Sequence, residues 1–260
     1  MKFFFIFYNF FFLVRFSSIK IIVHRLKLIK QYLNLTKLNL NIYDIFIKLL
    51  LGQVIQKKFY NLIESEKNFY EKKYKFKDND WFSYNIPVWR WIIKRYLKKK
   101  INYLEIGTYE GRSLFYIAEN FTNSDLTAVD PYLDYKDINF FKKKGNISNV
   151  YLSFKKNIKK FNIKVNFFKI NSSNFFKFNK KKFDLIYIDG SHFYLDVKND
   201  LNESLKIIKK NGIIILDDFF WNFHKKIEQN PIGGILPLIK KNKKIEIILI
   251  SNQIIIRLNN

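Results

Sequence analysis

Four short strings carry most of the side chains able to do chemistry. Asp189-Gly190-Ser191-His192 follows the apolar run 183–188, and Asp217-Asp218 follows the run 213–216. If these acids meet, they repel one another unless protons or a cation neutralise them. Hard oxygen donors suit Mg²⁺, with Ca²⁺ and Mn²⁺ as alternatives. Asp189, Asp217 and Asp218 are therefore candidate metal ligands. The competing explanation is that they cap a turn and a helix. His192 stands three residues beyond Asp189. A solitary histidine is ordinarily a surface or packing residue. This one lies beside the acids, and an imidazole of ordinary pKa, about 6.5, can take a hydroxyl proton at neutral pH. His192 and Asp189 are the candidate catalytic residues. His24 and His224 have weaker cases, although His224 follows Asp218 closely enough to face the same cleft.

The remaining strings point to a nucleoside ligand. Glu105-Ile106-Gly107-Thr108-Tyr109-Glu110-Gly111 joins the run 103–106 to a helical pattern over 112–120. Glycines after a strand permit a tight turn and close approach of a ligand to the backbone. The helix N-terminus then offers free N–H groups. Asp130 ends the next apolar run, about twenty residues on, where an acid accepts hydrogen bonds from ribose hydroxyls. The loop lacks the G-x-G-x-x-G triplet of dinucleotide sites, which argues against NAD. Glu105, Gly107, Gly111 and Asp130 are the candidate cofactor contacts. Ser172, just past the third apolar run, is a further candidate contact.

These side chains need a scaffold that brings strand ends together. Apolar runs at 103–106, 126–129, 165–170, 183–188 and 213–216 alternate with helical patterns such as 112–120 and 195–209. Short, fully apolar runs between helices indicate a parallel sheet covered on both faces. The runs 245–250 and 253–257, split by Ser251-Asn252, read as an antiparallel hairpin. Adjacent strands lie about 4.8 Å apart, and their C-terminal ends open on the ligand crevice of such sheets. The expected fold is a Rossmann-like, mostly parallel seven-stranded α/β sheet over residues 101–260. Residues 1–100 form a separate N-terminal region, expected to be helical at 19–33, 43–59 and 81–97, with the charged stretch 64–80 exposed or looped.

Composition sets outer bounds. The chain has 260 residues, 48% of them hydrophobic, enough for one α/β domain and an appendage. It lacks cysteine, which excludes disulfides and thiolate metal sites. That is compatible with a reducing cytoplasm. The net charge of +25 invites a polyanion-binding reading. However, the lysines are spread along the whole chain beside abundant Ile, Asn and Phe, and only two alanines occur, Ala118 and Ala128. That skew fits AT-rich coding and a solvated surface better than a nucleic-acid footprint, which is localised. The apolar run 3–14 is too short to span a bilayer, which takes about twenty residues. It is expected to form a packed or amphipathic helix. An interfacial anchor touching a membrane surface, a signal segment and a mis-assigned start codon are the alternatives.

The Glu105/Gly107/Gly111 loop, with Asp130 at the second strand end, resembles the E/D-x-G-x-x-x-G site of class I S-adenosylmethionine-dependent methyltransferases. In that family the loop wraps the methionine part of the cofactor and the strand-two acid holds the ribose. The last strand of the family's sheet inserts antiparallel to its neighbours. The strings Asp189-Gly190-Ser191-His192 and Asp217-Asp218-Phe219-Phe220-Trp221 resemble the metal-dependent sugar and macrolide-glycoside O-methyltransferases, within the broad group of the catechol O-methyltransferases. The resemblance covers about residues 103–258. It implies Mg²⁺ on Asp189, Asp217 and Asp218, His192 as base, and a small-molecule hydroxyl, such as that of a sugar, as acceptor. The segment 81–87 would act as a lid over the cofactor. Ser172 stands where the family often has an acid. The N-P-P-Y-type tetrapeptide of base amino-methyltransferases is absent. A nucleic-acid-directed methyltransferase and a non-catalytic cofactor-binding protein are the rival functions. Residues 1–100 are expected to shape the acceptor pocket or an oligomer interface.

Overall fold

The computed structural model describes residues 16–98, 100–133 and 147–259. The apolar run 3–14 lies outside them. Seven strands form one sheet in the order β3-β2-β1-β4-β5-β7-β6. They are β1 (Asn102–Ile106), β2 (Asp125–Val129), β3 (Val165–Phe168), β4 (Phe183–Ile188), β5 (Ile208–Leu216), β6 (Ile245–Ile250) and β7 (Ile254–Leu258). The first five run parallel. β7 lies between β5 and β6, antiparallel to both. The expected sheet and its C-terminal hairpin are therefore present, and β1 and β4 are neighbours where the strand order reverses.

The strands' apolar runs bury side chains alternately on two faces. Leu104, Ile106, Ile186, Ile188, Ile214 and Leu216 belong to one core cluster. Tyr103, Leu185, Tyr187, Ile213 and Ile215 belong to the other. Helices α1 (Phe16–Thr36), α7 (Ser172–Phe178), α8 (Tyr194–Ile207) and α9 (Pro231–Lys241) contribute to the first cluster. Helices α3 (Asn61–Lys73), α4 (Ile86–Tyr96), α5 (Arg112–Asn120) and α6 (Ile147–Lys160) contribute to the second. Helix α2 (Ile42–Lys58) runs along the edge strand β6 and feeds both, through Leu49 on one side and Ile55 on the other. That covers an edge which would otherwise present unpaired backbone groups. Helices α1 to α4, before residue 100, thus share their core with the sheet. Among the described residues, no helix is long and apolar enough to cross a membrane.

Two local expectations change. The charged stretch 64–80 is not simply a loop, because α3 occupies residues up to Lys73. Its charges point outward, while Ile63, Tyr70 and the following Tyr74 are buried. Three large anchors hold a segment that charge density had hidden. β5 also begins earlier than expected, at Ile208, immediately after α8. Its pairing with β4 shifts register between Phe183 and Leu185, leaving Lys209, Lys210 and Asn211 outside the buried run.

Gly52 tests the covering of the β6 edge. A Cβ there would sit 2.0 Å from the Ile250 carbonyl oxygen. Gly→Ala inside a helix ordinarily gains up to about 1 kcal/mol. Here forced overlap, costing about 1–3 kcal/mol, should win. Gly52→Ala is expected to lower stability in chemical denaturation; an unchanged or raised midpoint would show that α2 does not press on β6.

Candidate functional site

Backbone pairing carries three site residues one rung past their strands. Gly107 N–H donates to Val129 O (2.9 Å), Asp189 N–H to Ile106 O (2.8 Å), and Asp217 N–H to Ile188 O (2.9 Å). The ends of β1, β4 and β5 are thereby locked side by side. Gly107 has φ +84°, and a Cβ on it would fall 2.0 Å from the Asp189 carbonyl oxygen. Only glycine lets the chain turn there and touch the neighbouring strand. Gly111, at φ +80°, caps α5 in the left-handed conformation.

This loop surrounds unsatisfied polar groups. Glu105 is buried, with Oε2 accepting the Tyr103 hydroxyl. Its Oε1 has no partner, and neither has the buried Oγ1 of Thr108. Buried polar atoms are normally paired, so these two oxygens mark a place where a ligand's donors are missing. Burial pushes the Glu105 carboxyl up to about 8, against the lowering effect of its bonds to Tyr103 and Ser113. Asp130 is spoken for in part. Its oxygens accept Tyr109 N–H (2.8 Å) and Tyr132 N–H (2.7 Å). Burial still raises its pKa. A carboxylate offers about four acceptor sites, which leaves capacity for ribose hydroxyls. The glycine contact and the two orphaned oxygens fit an adenosyl amino acid. Ser172 is turned elsewhere. It opens α7, and its side chain bonds the buried Asp200 of α8, whose carboxyl burial lifts to about 7.

The acids converge at the next strand ends. Single ligand atoms of Asp189, His192 and Asp218 all lie within 4.8 Å of one another. A cavity of about 10 Å³ is lined by Asp189, His192, Asp217 and Asp218 and, on an apolar side, by Ile188, Val197, Leu216 and Pro231; it has room for one body the size of a water or an ion. His192 Nε2 and Asp218 Oδ2 are 2.5 Å apart. Desolvation, then repulsion from Asp217 and Asp218, raises Asp189 well above the carboxylate range. Burial and the neighbouring Asp218 lift Asp217 to about 6. Carboxyls held this high by one another are short of positive charge, the condition a divalent cation relieves. Hard carboxylate oxygens fit such an ion.

Asp217 differs from its neighbours in its partners. Its Oδ2 accepts from the Tyr187 hydroxyl, from Gln253 Nε2 (2.9 Å) and, more weakly, from Asn85 Nδ2 (3.4 Å). Its Oδ1 accepts the Asp218 N–H (2.8 Å). Tyr187 also touches Asp189 Oδ2 at 2.9 Å. The His192 ring stacks on Trp221 at 5.0 Å, and Trp221 meets His224 edge-on at 4.9 Å. His224 therefore stands near the cleft, behind Trp221, while His24 is exposed on α1. The segment 74–85 links the two halves of the site. Glu110 accepts Lys77 N–H (2.6 Å) and Asp78 N–H (3.0 Å) at the glycine loop, and Asn85 reaches Asp217. Trp81 lies between, 62% exposed.

Sequence reasoning missed Tyr187, Gln253, Trp89 and Trp221. Strand alternation could have found Tyr187, which lies two residues before Asp189 and on the same side. Gln253 and Trp89 have no local signal.

Residues 104–219 match the family model described as "Methyltransferase domain". A curated relative is an uncharacterized protein of Acanthamoeba polyphaga mimivirus, 31% identical over 122 residues, which cover 47% of this chain and 53% of that one. The chain thus matches about half the length of that relative. Among solved structures, a Staphylococcus aureus protein provisionally called a caffeoyl-CoA O-methyltransferase superposes with TM-score 0.55 and 17% identity, over 79% of this chain and 99% of that one. An O-methyltransferase from Bacillus cereus, in complex with SAH, gives 0.50 and 13% over 83% and 100%. TomG of Streptomyces achromogenes, an O-methyltransferase of tomaymycin synthesis solved with SAM, gives 0.52 and 9% over 78% and 89%. At these identities the likeness establishes the fold that these solved structures share.

Glu105 gives the site a pH signature. Burial holds its folded pKa at about 8, above the ordinary carboxyl value of about 4.5. The folded chain therefore holds a proton that the unfolded chain releases, so this group's contribution to stability falls as pH rises from about 4.5 to 8. Glu105→Gln removes the titration. The stability of the variant relative to the wild type should climb across that window and level off above it. Denaturation curves from pH 5 to 9 would show this; a gap independent of pH would mean that Glu105 is not held protonated.

Proposed function

We propose that the protein is an S-adenosylmethionine-dependent O-methyltransferase that uses a divalent cation, Mg²⁺ in the first instance, on a hydroxyl of a small molecule, a sugar being the leading class. The observation that carries this is the meeting of Asp189, Asp217, Asp218 and His192 around an ion-sized cavity, one strand from a glycine loop with two orphaned buried oxygens. The match of residues 104–219 to a methyltransferase domain supports it.

In this reading Gly107 and Gly111 let the loop close on the amino-acid part of the cofactor, with Glu105 beneath it. Asp130 holds the ribose, while Ser172 stays bonded to Asp200. Asp189, Asp217 and Asp218 hold the cation; Oδ1 is the oxygen of Asp217 with free capacity. S-adenosylmethionine supplies an electrophilic methyl group, and the cation supplies Lewis acidity toward the acceptor hydroxyl. His192 takes the hydroxyl proton. With Nε2 donating to Asp218, Nδ1 carries the ring's lone pair and is the accepting atom. Transfer forms a C–O bond and breaks the methyl C–S bond, whose electron pair stays on sulfur. The chain's own work is orientation and charge placement. Residues 1–100 shape the acceptor side, and the lysine-rich surface stays solvated.

A labelled-methyl screen over nucleotide sugars, catechols and nucleic acids tests the acceptor class. Asp189→Ala should abolish metal-dependent turnover and leave cofactor affinity nearly unchanged. Asp130→Ala should weaken cofactor binding. His192→Ala should lower kcat by about 10²–10⁴-fold. Full activity of Asp189→Ala in EDTA would end the metal-assisted mechanism. Acceptor binding that collapses steeply with salt would instead favour a polyanion.

A further inference from the structure

We propose that Trp89 and Gln253 are positioning residues for the metal centre, forming a buried relay that fixes the orientation of Asp217. The inference rests on the metal-binding reading above and assigns the relay a part in holding the ion.

Trp89 Nε1–H donates to Gln253 Oε1 at 2.9 Å, and Gln253 Nε2–H donates to Asp217 Oδ2 at 2.9 Å. Trp89 and Gln253 are both 0% exposed. An indole N–H can only donate. It therefore dictates which end of the Gln253 amide faces it, and the NH₂ end must turn to Asp217. The Tyr187 hydroxyl adds a second donor on the same oxygen. Tyr187 is 1% exposed, and Trp89 packs edge-on against its ring at 4.8 Å and 88°. One indole thus fixes two of the groups that grip Asp217, the amide by hydrogen bonding and the phenol by packing.

The consequence concerns Oδ1. With Oδ2 committed to buried donors, rotation of the Asp217 carboxylate is blocked. Oδ1 is then held toward Asp218, whose N–H it accepts. A carboxylate that keeps one orientation costs less entropy when it engages a cation than one that must be ordered first. Partners of this kind around a ligand typically change metal affinity by about 10–100-fold when removed. The relay also accounts for the burial of a polar pair reaching across 164 residues. Trp89 comes from α4 and Gln253 from the start of β7, so the N-terminal region reaches the metal centre through this contact.

Trp89→Phe keeps an aromatic ring and removes only the N–H donor. Gln253→Met keeps the side chain's length and removes the amide. Mn²⁺ binding would be followed by electron paramagnetic resonance, S-adenosylmethionine binding by calorimetry, and stability by thermal melting, on the full-length chain. The expected result is a loss of Mn²⁺ affinity of about 10–100-fold in both variants, with cofactor affinity retained. Unchanged Mn²⁺ affinity in both would overturn the relay. A parallel fall of Mn²⁺ affinity, cofactor affinity and melting temperature would overturn it as well, by reducing the pair to a packing contact. Failure of the wild-type chain to bind Mn²⁺ would instead remove the metal-binding reading, and the relay's role with it.

Discussion

The carbonyl of Asp189 occupies the place where a side chain on residue 107 would have to go. That contact ties the end of β1 to the end of β4 at van der Waals distance. On one side it forces the left-handed turn that starts the glycine loop and leads to α5. On the other it holds the acid string in register with the sheet, one hydrogen-bonded rung beyond Ile106. The loop and the first acid therefore cannot shift independently. Under the proposed function, the separation between a cofactor on the loop and an ion at the acids would be set by backbone, the stiffest material available. Catalysis by orientation depends on small displacements, and this is the element that resists them.

Electrostatics then separates the roles of the acids. Glu105, Asp189 and Asp217 are all raised by desolvation, but their surroundings differ. Glu105 has a tyrosine donor and an orphaned oxygen. Asp189 has a tyrosine contact and two acidic neighbours. Asp217 has donors on both oxygens. The sheet's interior strands allow this arrangement because their ends are flanked on each side, so each acid meets the next. Burial and clustering disfavour the charged forms of Asp189 and Asp217, and under the proposed function a cation would offset that cost.

The helices before residue 100 take part in this centre. α2 seals the β6 edge, α4 places Trp89 over Tyr187, and the stretch leading into α4 spans from Glu110 to Asp217. The hydrophobic clusters show the same thing, since Ile29, Leu49 and Trp89 lie in the cores that also hold the strands. The N-terminal helices are thus part of the scaffold that fixes the strand ends.

The sequence by itself determined the sheet, the hairpin and the identity of the acids at the strand ends. These are local properties: an apolar run of four to six residues makes a buried strand, and the residue after it must emerge at the edge. Gly107, Gly111, Asp130, Asp189, Asp217, Asp218 and His192 were legible for that reason. Only the tertiary structure decided what those residues meet. Ser172 faces Asp200 because α7 and α8 pack together. The charged stretch around α3 is held by Tyr70 and Tyr74 against Tyr116 and Phe115 of α5. Helix α9, interrupted in sequence by Gly233, Gly234 and Pro237, exists because its buried face lies on the core. Gln253 reaches Asp217 because β7 inserts beside β5, pairing Ile254 with Leu216. Periodicity reports which way a side chain points within its own element. It carries no information about which distant element lies opposite, and the polar partners of this site are chosen by that placement.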